Sequence, residues 1–200
     1  MAGTHPTKEA LINTVVVMLN ETPPHGITIE SVLEKSGISR GSLYHHFVDY
    51  QELIEAAQVR RYAAYIDGSI ALLSSILQGT KTRDEMVVRV REVTRISQSM
   101  QANRIDRAHT IAAALASDRM REMLSVEQAR LTAWIADLYR EVLERGWGNP
   151  ALDPASVGIM IQAYTFGRIV DDISAEPVDP EKWLDLITTI LETVFFPPQA

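Results

Sequence analysis

Cysteine is absent from the 200-residue sequence, which excludes disulfides, thiolate zinc sites and cysteine nucleophiles and is compatible with a reducing setting. No apolar run approaches the roughly 18 residues that a bilayer-spanning helix needs. The opening MAGTHPTKEA also lacks the basic segment and apolar core of a secretory signal. The expectation is a soluble, cytoplasmic protein with no membrane partner. Catalytic signatures are scarce as well. The P-loop and the dinucleotide pattern G-x-G-x-x-G do not occur, and the five histidines are scattered rather than spaced as ligands. His45 and His46 are adjacent, so on a helix they point about 100° apart and cannot share a metal. These absences argue against an enzyme, a metal site or a cofactor.

Positive charge is in short supply too. The formal net charge is −7, and within the first 60 residues Lys8, Lys35, Arg40 and Arg60 stand against seven Asp plus Glu, a balance of −3. Non-specific DNA affinity comes mainly from phosphate neutralisation, so this region should bind random duplex poorly. Locally the balance differs, because no acid occurs between Lys35 and Val48.

What the chain has in plenty is apolar residues, 46% of the total, set out with helical periodicity from one end to the other. A first helix is expected over 8–20, with Thr7 as its cap, followed by the break Pro23-Pro24-His25-Gly26. Asp49 should cap a long helix from Tyr50 to about Leu77, in which Gly68 marks either a close contact or a bend. Thr82 opens a helix to about Met100, a short one follows from about Ile105 to Leu115, and Ser117-Asp118 starts a run to Arg145. Asp153-Pro154 and Asp179-Pro180 pair a cap with proline at the first helical position, giving helices over about 154–173 and 180–195. The fold class is all-α, about nine helices in total. An N-terminal three-helix headpiece is followed by a larger helical domain, with the boundary placed at 1–50 and 51–200.

The informative stretch is TIESVLEKSGISRGSLYHHF, Thr28 to Phe47. Thr28 with Ser31 forms an N-cap pair, Ile29, Val32 and Leu33 share one face, and Gly37 can enter the left-handed region that ends a helix. Ser39 then caps a second helix in which Leu43 and Phe47 face inward while Gly41, Ser42, Tyr44 and His45 face outward. This is a helix-turn-helix. Small residues near the second helix's start allow close approach to a groove, and Arg40 with the hydroxyl and imidazole groups supplies donors for phosphates and base edges.

On Thr28, Ile29, Val32, Gly37, Ile38, Ser39, Gly41, Leu43, Tyr44, His46 and Phe47 the sequence resembles the TetR family of bacterial regulators. Leu33 and Ser36 replace alanines common there, and Tyr50 stands where a phosphate-holding lysine is usual. The resemblance implies a cytoplasmic transcriptional regulator, usually a repressor, that leaves a palindromic double-stranded operator when a small-molecule effector binds. The expected DNA-binding residues are Thr28 and Ser39 on phosphates, Arg40 and Ser42 near base edges with Gly41 between them, Tyr44 and His45 on phosphates or bases, and Tyr50 on a phosphate. The central helices should hold the unidentified effector, with Met86, Met100, Ile105, His109, Met123, Trp134 and Tyr164 as candidate walls.

The last two helices carry apolar side chains on more than one face, which calls for a partner. The resemblance makes that partner a second copy, the homodimer meeting as a four-helix bundle. Its candidate interface is Met160, Ala163, Tyr164, Gly167, Trp183, Ile187, Ile190, Leu191 and Val194. Two alternatives stay open: a ligand-free DNA-binding co-regulator, and a helical small-molecule-binding protein that binds no DNA, which the acidic headpiece favours.

Overall fold

A computed structural model describes residues 5–198, with Leu77 by its backbone alone. The described chain is all-helical, without a strand. Its helices are α1 (Pro6–Met18), α2 (Ile29–Ser36), α3 (Arg40–His46), α4 (Tyr50–Gln78), α5 (Arg83–Ser99), α6 (Gln101–Ala116), α7 (Asp118–Glu144), α8 (Pro154–Gly167), α9 (Ile169–Asp172) and α10 (Pro180–Ile190). A short 3₁₀ turn, Pro24–Gly26, precedes α2, and a π-type turn, Leu191–Phe195, extends α10.

The chain divides into two compact units. The first is the chain up to Tyr65 together with Ala113–Leu124, and the second is Ile66–Ala112 with the chain from Ser125 onward. In sequence α4, α6 and α7 each contribute to both. The first unit closes α1, α2, α3 and the start of α4 around Leu11, Val15, Val32, Leu43, Phe47 and Leu53. The second has its own core of Ile76, Met86, Tyr139, Val142, Val157, Ile187, Leu191 and Phe195. There the Tyr139 hydroxyl donates to the Phe195 carbonyl at 3.1 Å, and Arg83 Nε donates to that of Phe196 at 2.8 Å, which ties down the end of the chain. Gly158 lets α8 approach α7 closely, since a Cβ there would lie 3.1 Å from the Thr132 carbonyl oxygen.

Local chemistry sets the helix starts. Thr82, Asp153 and Asp179 each accept a backbone N–H of the first turn, as their sequence positions require. Three boundaries depart from expectation. His5, not Thr7, caps α1, its Nδ1 accepting the Thr7 N–H at 3.2 Å while Pro6 occupies the first helical position. The helix expected over 154–173 breaks after Gly167 into α8 and α9, where a residue without a side chain lowers helix stability. The helix expected from about Ile105 begins a turn earlier, at Gln101, whereas the run from Asp118 is continuous to Glu144 in line with its expected extent.

Candidate DNA-binding face and ligand cavity

The hinge of the first unit is Gly37, which ends α2 at φ 67° and ψ 14° and directs its N–H to the Leu33 carbonyl. Thr28 and Ser31 form a reciprocal capping box, and the Ser39 hydroxyl accepts the Ser42 N–H at 3.2 Å. With both helix starts fixed and Leu43 and Phe47 in the core, the opposite face of α3 is left to solvent. Arg40, Gly41, Tyr44 and His45 are exposed on it and Ser42 is half-exposed. A Cβ at Gly41 would meet nothing nearer than the Ser39 hydroxyl at 4.0 Å, so the helix surface is open there. The run Gly37-Ile38-Ser39-Arg40-Gly41 also spells the G-x-S-x-G of a hydrolase nucleophile elbow, which sequence inspection passed over. That motif needs a strand before its serine. Here Ser39 joins two helices and its hydroxyl is a cap.

Charge on this face is arranged by pairing. Arg40 donates to Glu30 of α2 at 2.8 Å, and both side chains are more than half exposed, so the contact is exchangeable for a phosphate or base edge. Hydrogen bonding to backbone and to Arg40 keeps the Glu30 carboxyl below its ordinary range. Burial first, then the charges of His5, His45 and Lys8, hold His46 below the usual imidazole value. Its ring lies 4.6 Å from that of His5 and 5.0 Å from that of His45.

Tyr50 departs from expectation. Its hydroxyl donates to the Ile27 carbonyl at 2.9 Å, and burial followed by the Glu30 charge pushes the phenol up to about 12. One hydroxyl has one proton, so this donor is already committed within the headpiece and is withdrawn from the phosphate contacts.

Sequence inspection also missed Arg119. It donates to Glu55 at 2.6 Å and to Asp49 at 3.1 and 3.2 Å, and Ser117 adds a hydrogen bond to the buried Glu55 carboxylate at 3.0 Å. Two of the seven acids in the first 60 residues are thus paired with a residue far along the chain, and Arg60 pairs a third, Glu9. Because Arg119 and its partners lie more than sixty residues apart, no local signal announces them.

The second unit encloses an apolar cavity of about 50 Å³, walled by side chains of α4, α5, α7 and α8 and by the final turn. Of the expected ligand residues only Met86 and Tyr164 line it, beside Leu73, Val90, Leu138 and Ile161. Met100, Ile105 and His109 are exposed on α6 or just before it, Trp134 is half-buried but outside the lining, and Met123 belongs to the first unit. These five are corrected: helical periodicity does not say which turn of a buried face meets a void. The polar groups at the cavity are few. The Tyr164 and Thr94 hydroxyls lie 3.2 Å apart, and burial raises the Tyr164 phenol.

A profile described as "Bacterial regulatory proteins, tetR family" matches residues 11–57, which contain α2, the Gly37 turn and α3. Over that segment the chain resembles the TetR family. It is 22% identical to the HTH-type transcriptional regulator UidR of Escherichia coli K12 over 176 residues, 88% of this chain and 86% of UidR. Among solved structures, the reduced form of E. coli NemR superimposes with a TM-score of 0.68 at 18% identity, covering 98% of this chain and 100% of NemR. A regulator from Saccharomonospora viridis in complex with choline does so with a TM-score of 0.68 at 13% identity, covering 96% and 98%. The helix-turn-helix and these likenesses make the protein a DNA-binding transcriptional regulator.

The expected interface residues divide. Met160 and Val194 are each 42% exposed, and Ala163 and Gly167 are exposed beside them. Ile187 and Leu191 are instead buried in the second unit's own core, Tyr164 faces the cavity, Ile190 packs against that core, and Trp183 lies under the Arg168 guanidinium at 5.5 Å. Ile187, Leu191 and Tyr164 are corrected as interface residues, because the helix pair uses its second apolar face internally, whereas Trp183 and Ile190 are only partly buried. Ile159, Val170 and Leu186, all more than half exposed, join the outer stripe that sequence inspection did not assign. No helix of the described chain is long and apolar enough to cross a membrane.

Proposed function

We propose that the protein is a homodimeric repressor, acting in the cytoplasm without catalytic activity, that holds a palindromic operator until a small molecule enters the second unit. The observation that carries the DNA-binding part is the capped α2–Gly37–α3 element, in which the outward face of α3 is exposed and carries no acid. The DNA contacts are Thr28 and Ser39 on phosphates through hydroxyl or backbone N–H, Arg40 and Ser42 at base edges beside Gly41, and Tyr44 and His45 on phosphates or bases. Arg40 is the sole guanidinium on α3, so most of the specific affinity comes from base readout and the salt dependence is shallow.

The exposed stripe Ile159, Met160, Ala163, Gly167, Leu186 and Val194 supports the dimer, and the cavity behind Met86 and Tyr164 supports the effector. The choline held by a regulator of the same fold is consistent with such a site. The cavity pairs no nucleophile with a base, which favours binding over catalysis. Because α4, α6 and α7 run through both units in sequence, a ligand that alters their packing reaches the headpiece along continuous helices.

Selection from a random duplex library at low salt tests this reading. The expected result is a palindrome with half-sites about one turn, roughly 34–36 Å, apart. No enrichment, with Arg40→Ala indistinguishable from the parent, would overturn it.

A further inference from the structure

A second, polar chamber of about 10 Å³ lies in the same unit as the apolar cavity, and the two share Thr94 and Tyr164 in their walls. Two arginines face the chamber. Arg104 is fully employed: Nε and Nη2 grip the Asp172 carboxylate at 2.8 and 2.7 Å, and Nη1 donates to the carbonyls of Ser97 and Gln98 at 3.0 and 2.9 Å. Arg168 is not. Its side chain is only 10% exposed and makes one ion pair, Nη2 to Asp171 at 3.0 Å, with the Trp183 ring 5.5 Å from the guanidinium carbon. Arg168 Nε and Nη1 are buried without an acceptor, and so is Nε2 of Gln98 in the same wall.

Asp171 Oδ2, which faces Arg168 Nη2, also lacks a hydrogen bond, but it lies against Nη2 alone, so Arg168 Nε and Nη1 and Gln98 Nε2 leave three buried donors around one chamber for a further acceptor. We propose that this chamber is the head-group subsite of the effector site, and that the effector is an amphipathic monocarboxylate. Its aliphatic or aromatic body occupies the apolar cavity, and its carboxylate accepts from Arg168 and Gln98. The inference rests on the ligand-responsive reading above and names the ligand's class.

Charge decides for a carboxylate over a neutral acceptor. The charged groups facing or flanking the chamber are Arg104, Arg168, Asp171 and Asp172. Arg104 and Asp172 close on each other bidentately, whereas Arg168 is held through a single nitrogen, so the open donors belong to the cation whose charge is least satisfied. The Thr94 and Tyr164 hydroxyls stand in the shared wall, where head group and body would join. At about 50 Å³ the apolar cavity is smaller than such a body, which enlarges it by moving flexible side chains such as Met86.

The test is calorimetric titration of the full-length protein with octanoate and with 4-phenylbutyrate, using octanamide as the uncharged counterpart. Saturable binding of a carboxylate, with octanamide about tenfold weaker or worse, is the expected result. Arg168→Gln and Gln98→Leu should each weaken carboxylate binding about tenfold while leaving octanamide unchanged, which a merely structural role would not do. Thermal melts identify any variant that fails to fold. Octanamide binding as well as octanoate, an Arg168→Gln protein that binds like the parent, or no binding of either carboxylate at millimolar concentration would each overturn the proposal. The last result would leave the chamber to water. Operator binding measured alongside separates the two readings. Carboxylate binding with unchanged operator affinity keeps the subsite and removes ligand-driven release, and operator binding with no carboxylate uptake removes the subsite alone.

Discussion

At the scale of single residues, Tyr50 shows how a side chain that looks like a DNA contact can be a structural clamp. Its hydroxyl joins the first turn of α4 to the carbonyl of Ile27, a residue only 4% exposed. Tyr50→Phe removes the donor and leaves that carbonyl unpaired, so urea denaturation should show a loss of about 1–2 kcal/mol. Operator affinity of the folded variant should stay at the parent value, whereas a phosphate contact would have weakened it and reduced the salt slope. His46 gives a second expectation, for pH. Its folded-state value lies below the ordinary one, so the unfolded chain binds the proton more readily. Stability is then full above about pH 6.5 and falls as pH drops through the window between that and the depressed folded value. Melts between pH 7.5 and 5 should show the decline, and His46→Gln should flatten it. An unchanged slope would mean that neither burial nor the charges of His5, His45 and Lys8 depress His46 in the folded chain.

At the scale of elements, glycines separate what turns require from what helices tolerate. Gly37 sits at φ 67°, so Gly37→Ala should cost about 1–2 kcal/mol through left-handed strain alone. Gly68 lies inside α4 with nothing within 4 Å of where a Cβ would stand. Sequence left either a close contact or a bend open at this position, and no close contact exists. Gly68→Ala should therefore raise the midpoint of denaturation by the equivalent of about 0.5–1 kcal/mol. A loss instead would reveal a need for the glycine that the free chain does not show.

The same contrast governs how much of this protein was legible in its sequence. Caps at Thr28, Ser39, Thr82, Asp153 and Asp179 are encoded within three residues of the groups they bind, and each stands where the sequence reading put it. The inward positions of α3 and the Gly37 turn were legible for the same reason. The His5 cap was signalled by Pro6 and misread. What depends on distant chain was not legible. Nothing near Glu55 names Arg119 as its partner, nothing in α10 distinguishes Ile187, which is buried, from Leu186, which is 53% exposed, and nothing local says that Tyr164 faces a void. Register within a helix is written in sequence, but the choice of which apolar face goes inward is made by the other helices.

At the scale of the whole molecule, the outer stripe on α8 and α10 carries the last prediction. Ile159, Met160, Leu186 and Val194 remain between 42% and 53% exposed in the single chain, with Ala163 and Gly167 among them. Small residues set between larger apolar ones let two helices approach closely, and a two-fold arrangement applies the stripe twice. Ala163→Glu places a charge in the middle of that surface without touching either core, so the variant should fold with the parent's helicity. Sedimentation should then show a dimer for the parent and a monomer for the variant. With one recognition helix per particle, affinity for the full palindrome should fall toward that of a half-site, on the order of 100-fold or more, because linked binding of two half-sites is lost. Affinity for an isolated half-site should not change. A variant that stays dimeric would move the interface off this stripe. A monomeric variant that keeps full palindrome affinity would mean that the two headpieces bind without help from the second unit.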